Sequence, residues 1–223
     1  MRLSRVPAVN DLDERRAALA RLNDGVNRCQ QCGLGRTRTR AVPGEGPIDA
    51  DIMFIGEAPG YYEDQQGRPF VGAAGQFLEQ LLGSIGLKRS DVFIANVIKC
   101  RPPANRDPLP AEISACSDWL NEQQATIRPK VVVTLGRYSL ARYFPGSPIS
   151  RIHGQGRKVN GQWVVPMYHP AAALHQASLR QTIEDDFKKL PGYVEQALRD
   201  HEETTRPLTA VAAAPEPEQM KLL

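Results

Sequence analysis

Four short apolar runs set the limits on what this chain can fold into. They are DIMFI at 51–55, VFIANV at 92–97, KVVVTL at 130–135 and WVVPMY at 163–168. Runs this short with so little polar alternation read as strands buried on both faces, the kind found in parallel sheets covered by helices on either side. The intervening segments agree. Residues 11–28 space Leu12, Ala17, Leu19, Leu22 and Val26 among charges at helical intervals, and further helices are expected at 74–86, 111–126, 137–144 and 178–201, the last broken at Pro191-Gly192. The expected class is α/β, a three-layer α/β/α arrangement with a central, mostly parallel four-stranded sheet. In such folds ligands bind beyond the C-terminal ends of the strands, so chemistry is sought in the segments that follow each run. Residues 57–72 read as a long Gly/Pro-rich loop, and four prolines between 102 and 110 keep 101–110 irregular.

A chain of 223 residues supports one sizeable core. The expected domain is 1–202. Residues 203–223, rich in Ala, Pro, Thr and Glu without periodicity, read as a disordered tail. No run of about 18 apolar residues marks a membrane span, and Met1 to Pro7 lacks the apolar stretch of a secretory signal. Cytoplasmic location and no membrane partner are the default expectation. Net charge is +3, too mild to indicate nucleic acid by itself. Its distribution says more: Arg36-Thr37-Arg38-Thr39-Arg40 is compact and basic, while Arg68, Lys99, Arg101 and Arg106 stand in Gly/Pro-containing loops suited to approaching phosphates.

The four cysteines are Cys29, Cys32, Cys100 and Cys116. The first two form a C-x-x-C pair at the end of the first helix, the third follows the second strand, and the fourth lies in the next helix. Disulfides do not suit a cytosolic chain. One close pair plus two single cysteines suits a tetrahedral zinc site or a four-iron cluster, and spacing does not choose between them.

After the first strand comes Gly56-Glu57-Ala58-Pro59-Gly60, then Glu63, Asp64, Gly67, Arg68, Pro69, Phe70, Val71 and Gly72. Glycines allow close backbone approach, Glu57 and Glu63 offer carboxylates, and Phe70 offers a flat apolar face; together they suit a planar base. Asn96 closes the second strand with an amide that donates and accepts at once, matching O4 and N3–H of a pyrimidine. His169 follows the fourth strand, where a neutral imidazole N–H would stabilise negative charge on a leaving base.

These segments together resemble the family 4 uracil-DNA glycosylases. The matching pieces are GEAPG at 56–60, ED at 63–64, GRPFVG at 67–72, NVIKCRPP at 96–103, NRDP at 105–108 and HP at 169–170, with the cysteines in the family's order. The resemblance covers roughly residues 25–200. It implies excision of uracil from DNA by hydrolysis of the N-glycosidic bond, acting as a monomer on single- or double-stranded DNA, with one [4Fe-4S] cluster on Cys29, Cys32, Cys100 and Cys116. It also implies roles: Glu57 and Ala58 line the uracil pocket through backbone groups, Glu57 positions water, Glu63 stands where a 5-methyl group is excluded, and Phe70 stacks on the base. Asn96 reads its polar edge and His169 stabilises charge on O2. Leu174 wedges into the duplex, with Arg68 and Arg106 beside the DNA. Ala58 occupies the place of an activating Asp in other uracil glycosylases, and Ala171-Ala172-Ala173-Leu174-His175 lacks the bulkier residues and Arg common there. The alternative function is a non-catalytic or covalent binder of uracil-containing or damaged DNA with a structural cluster; Arg151-Ile152-His153 resembles the His motif of a covalent relative, at a different place in the chain. The terminal Gln219-Met220-Lys221-Leu222-Leu223 resembles the short motif by which bacterial repair proteins dock on the sliding clamp.

Overall fold

The computed structural model describes residues 11–205. Its centre is a sheet of strands β1 (Ile52–Gly56), β2 (Phe93–Asn96), β3 (Val131–Leu135), β4 (Arg157–Val159) and β5 (Gln162–Met167), in the order β2-β1-β3-β5-β4. β1 runs parallel to both β2 and β3, and β3 parallel to β5, with registers such as Gly56↔Asn96 and Leu135↔Met167. The parallel core follows from the apolar runs: every residue of β1, β2 and β3 is buried.

Alternate residues of a strand point to opposite faces. Phe54 joins one core with Phe77, Leu78, Leu81, Phe187 and Leu190. Met53 and Ile55 join the other with Phe93, Leu120, Ile127 and Val132. Helices α4 (Ala73–Ser84) and α9 (Leu179–Thr205) cover the first face, and α5 (Pro110–Ile127), with α1 (Asp11–Arg28) against it, covers the second. Arg15 of α1 fastens this second layer. Its guanidinium donates to the carbonyls of Thr126 (2.7 Å), Ile127 (2.6 Å) and Ile48 (2.7 Å), satisfying two of the carbonyls left free at the end of α5. The remaining helices are short: α2 (Leu34–Thr37), α3 (Tyr61–Gln66), α6 (Arg137–Ala141), α7 (Ile149–Ile152) and α8 (Ala171–His175).

Four points differ from the sequence reading. The sheet has a fifth strand: β4 is only three residues, carries Arg157 and Lys158, and pairs antiparallel to β5 at the edge, so it has no apolar run. Its signal is the Asn160-Gly161 turn, with φ of 50° and 83°, the two left-handed positions of a tight hairpin. Within the expected loop 57–72, Tyr61–Gln66 forms a helix closed at its C-terminus by Gly67 at φ 72°. α9 does not break at Pro191; Ile183, Phe187, Leu190 and Ala197 share one buried face, so packing on the sheet overrides the missing N–H. It also runs past the expected boundary at 202 to Thr205. The rest of the expected tail, with Gln219–Leu223, lies outside the described residues. Among the described residues no helix is long and apolar enough to cross a membrane.

Candidate active site and thiol centre

A cleft of about 590 Å³ opens beyond the C-terminal ends of β1, β2 and β5. That size falls in the usual range for small-ligand sites. It collects Glu57, Ala58, Glu63, Phe70, Asn96 and His169, drawn from three separate stretches of sequence. Parallel pairing explains the convergence: Glu57 follows β1, Asn96 ends β2, and His169 follows β5 by two residues, so all three emerge at one edge of the sheet.

Gly56 packs directly against two of these residues. A Cβ placed there would stand 2.4 Å from Asn96 Oδ1 and 2.7 Å from the Phe70 ring, so the absence of a side chain lets amide and ring meet over the backbone. Asn96 is only 2% exposed, and its Oδ1 is buried without a hydrogen-bond partner. Such an orphaned acceptor costs about 1–3 kcal/mol, and a ligand N–H would satisfy it.

Phe70 sits at φ 52°, a conformation that bulky residues rarely adopt. It is held from both sides. Arg89 donates to the carbonyls of Phe70 (2.8 Å) and Pro69, and Gly75 packs so close that a Cβ there would lie 1.8 Å from the Phe70 carbonyl. The ring lies nearly parallel to that of His169, with centroids 5.3 Å apart.

Burial pushes the His169 imidazole down to about 4, with the Glu63 carboxylate opposing, so the ring is neutral at physiological pH. The Ala171 backbone N–H donates to Nδ1 at 3.1 Å. In the neutral ring the proton then resides on Nε2, leaving that nitrogen as a donor.

The two carboxylates are anchored by backbone. Glu57 Oε1 accepts the N–H groups of Arg137 (2.7 Å) and Tyr138 (3.3 Å). Burial raises its pKa, and those two bonds act in the opposite direction. Gly136, at φ 94°, makes room; a Cβ there would meet Glu57 Oε1 at 2.4 Å. Glu63 accepts from Val71 (2.9 Å) and Gly72 (3.0 Å) through Oε1 and from Gly60 (3.1 Å) through Oε2, tying both ends of the loop that carries Phe70.

Of the expected DNA-side residues, Arg106 lines the cleft, with its guanidinium bonded to Glu112 at 2.9 and 2.7 Å. Leu174 is half exposed beside Ala171, Ala172 and His175, which line the cleft. Arg68 is not brought to the cleft wall; its guanidinium grips Glu45 at 2.8 and 3.1 Å. Lys99 is no phosphate-facing loop residue: it is buried, and its ammonium donates to the Asn96 carbonyl (2.9 Å) and Gln123 Oε1 (2.5 Å). His153 stands outside the cleft lining, its Nδ1 2.6 Å from Asp186. Sequence reasoning missed Arg137, whose N–H anchors Glu57 and whose guanidinium bonds Asp107 of the cleft wall. Gly136-Arg137 opens the segment after β3, but an anchor made by main-chain N–H leaves no mark in the sequence. Arg89 gave no signal either.

The four cysteines line one small cavity between the end of α1, the segment after β2, and α5. All are free. Three of the sulfurs receive donors: Trp119 Nε1–H to Cys29 Sγ (3.3 Å), Arg38 to Cys100 Sγ (2.9 Å), and the Lys99 backbone N–H to Cys116 Sγ (3.3 Å). Burial raises the Cys100 thiol and pushes Cys116 up to about 11. Among the described residues no group of three or more His, Cys, Asp or Glu is arranged to hold a single metal ion. The donor set itself, four thiols with N–H groups directed at their sulfurs, fits thiolate ligation of a cluster, whose positive charge would offset the burial of thiolates.

The sequence profile of the uracil DNA glycosylase superfamily matches residues 43–195. The chain is 49% identical over 183 residues to the Type-4 uracil-DNA glycosylase of Sulfurisphaera tokodaii, covering 78% of this chain and 83% of that one. It is 48% identical over 174 residues to the protein of the same name from Archaeoglobus fulgidus (73% and 86% covered), and 40% identical over 178 residues to that from Thermotoga maritima (78% and 93% covered).

Proposed function

The chain belongs to the uracil DNA glycosylase superfamily, and from that premise we propose that it excises uracil from DNA by hydrolysing the N-glycosidic bond. The base leaves the stack at a cost of a few kcal/mol and enters the cleft. There it lies against the surface of Phe70 that His169 leaves open. The Asn96 amide pairs with N3–H and O4, and Glu63 holds the loop that shapes the wall facing C5. As the C1′–N1 bond lengthens, charge gathers on the uracil, and His169 Nε2–H donates to O2. Water held by Glu57 supplies hydroxyl to C1′, and its proton balances the departing uracil anion, leaving an abasic site. Leu174 fills the gap left by the extruded nucleotide, while Arg106 neutralises a phosphate.

The observation that carries this reading is the pairing of an unsatisfied Asn96 Oδ1 with a neutral His169 whose free proton is on Nε2, in one cleft. Single-turnover assays on uracil-containing oligonucleotides test it. Asn96→Asp and His169→Ala should each slow excision by about 2–4 kcal/mol in barrier, the scale of losing one fixed donor. Unchanged rates in both variants would overturn the assignment.

Cys29, Cys32, Cys100 and Cys116 would hold one [4Fe-4S] cluster, which would cross-link α1, the segment after β2 and α5 without entering the hydrolysis. Protein purified without oxygen should contain about four irons per chain, and colourless protein with one zinc would refute the assignment. Gln219–Leu223, outside the described residues, is proposed to dock on a sliding clamp. Deleting it should abolish clamp binding and spare excision on short oligonucleotides.

A further inference from the structure

The described residues carry four large apolar side chains that are half exposed or more: Tyr61 (52%), Tyr62 (60%), Leu109 (51%) and Leu174 (50%). Each is next in sequence to a residue that lines the cleft. Tyr61 follows Gly60, Leu109 follows Pro108, and Leu174 precedes His175, and those three neighbours line it. The two tyrosines stand together, and exposed apolar groups gathered at one place mark a contact surface.

The tyrosines are more than bare surface. Their rings meet edge to face, with centroids 5.5 Å apart and an interplanar angle of 80°. The Arg101 guanidinium carbon lies 5.1 Å from the Tyr61 ring centroid. Arg101 Nε in turn donates to Asn105 Oδ1 at 2.6 Å, and Asn105 is itself part of the cleft wall. The cation is thus fixed beside aromatic faces by the same wall that encloses the base site.

We infer that Tyr61, Tyr62 and Arg101 form a second nucleotide subsite, a stacking platform for the unpaired base next to the extruded uracil on the same strand. Aromatic faces supply sequence-tolerant stacking, and the guanidinium supplies positive charge for the phosphate joining the two nucleotides. The same-strand neighbour is the occupant the layout favours: Tyr61 is joined to Gly60 by a single peptide bond, so the platform adjoins the pocket as one nucleotide adjoins the next. This inference rests on the uracil reading above.

The test uses the full chain and a single-stranded oligonucleotide carrying a non-excisable 2′-fluoro-deoxyuridine, with fluorescent 2-aminopurine on its 5′ or 3′ side. Binding should quench the fluorophore several-fold at one of these neighbours. The Tyr61→Ala/Tyr62→Ala double variant should lose that quenching and bind roughly 5- to 150-fold more weakly, the range for one lost base–aromatic stack. Tyr61→Phe should retain both. Thermal unfolding of the double variant should match the parent, since both rings are exposed. If the parent excises uracil yet quenches neither neighbour, or quenches only a fluorophore placed opposite the uracil in duplex, the platform is refuted and the excision reading stands. If the parent excises no uracil, both fall.

Discussion

Replacing Asn96 by leucine should separate folding from chemistry. The side chain ends β2 almost wholly buried, and its Oδ1 lacks a partner. An acceptor in that state costs about 1–3 kcal/mol of folding stability. Leucine keeps the branching and the number of heavy atoms while deleting the acceptor. Against that gain stands crowding above Gly56, where the Phe70 ring and the amide already meet, and an added methyl in a packed site costs about 1 kcal/mol at the low end. The balance lies between no change and about 2 kcal/mol of extra stability. For a chain of this length each kcal/mol moves Tm by about 2–4 °C, so Tm should stay level or rise by up to roughly 8 °C. Excision should fall at least 30- to 1000-fold, because a fixed contact to the base, worth about 2–4 kcal/mol, is gone. Thermal unfolding with free uracil closes the argument. At 100 times its Kd a ligand stabilises by about 2.7 kcal/mol, a shift the parent should show and the variant should not. A Tm drop beyond 5 °C combined with retained stabilisation by uracil would refute the reasoning, since it would mean that the amide serves the fold and does not touch the base.

His169 should leave the single-turnover rate flat from pH 8 down to about pH 5, because its imidazole titrates near 4 in the folded protein. An inflection near pH 6.5 that disappears in His169→Asn would contradict this. The unfolded chain takes up that proton near 6.5 and the folded chain only near 4, so the residue's stabilising contribution should be full above 6.5 and decline as pH falls through this window, measurable as urea midpoints between pH 7 and 4.5. Gly75→Ala should destabilise by about 1–3 kcal/mol and also slow excision, because its Cβ collides with the Phe70 carbonyl and must displace the ring; normal activity would mean that the placement of Phe70 is not critical. Arg15→Met should lower stability by about 2–4 kcal/mol with excision at saturating DNA preserved, as three carbonyls lose a charged donor remote from the cleft; denaturant unfolding reads the loss.

The strands that build the site were legible because burial on both faces leaves nothing but apolar residues in them. β4 was not, since an edge strand of three residues with Arg157 and Lys158 carries no such signature, and only its Asn160-Gly161 turn gave it away. Pro191 misled for a physical reason: local propensity argues for a break, while four buried residues on one face of α9 hold the helix through it. The site was legible where a side chain directly follows a strand, as Glu57 and His169 do. It was illegible where backbone does the holding. Nothing in the sequence announces that Arg137 would anchor Glu57 through its main-chain N–H, or that Glu63 would spend its carboxylate on three backbone donors.

Lys99 shows why the thiol centre and the cleft belong to one design. A loop lysine between a strand and a cysteine reads as surface charge, yet this one is buried, and burial lowers its ammonium to about 7. Its position has a structural logic. The ammonium bonds the Asn96 carbonyl and Gln123 of α5, its backbone N–H bonds Cys116 Sγ, and Cys100 follows it in sequence. Gln123 continues the chain of contacts to the Pro43 carbonyl at 2.6 Å. Five residues, 96 to 100, therefore span from the amide proposed to read the base to a sulfur proposed to bind the cluster. On that reading a cluster distant from the reacting bond still bears on catalysis, because fixing both ends of the segment limits how far Asn96 can move. A fixed donor is effective only while its position is preorganised. On that reading the cysteines would serve the hydrolysis by geometry, through the backbone they clamp.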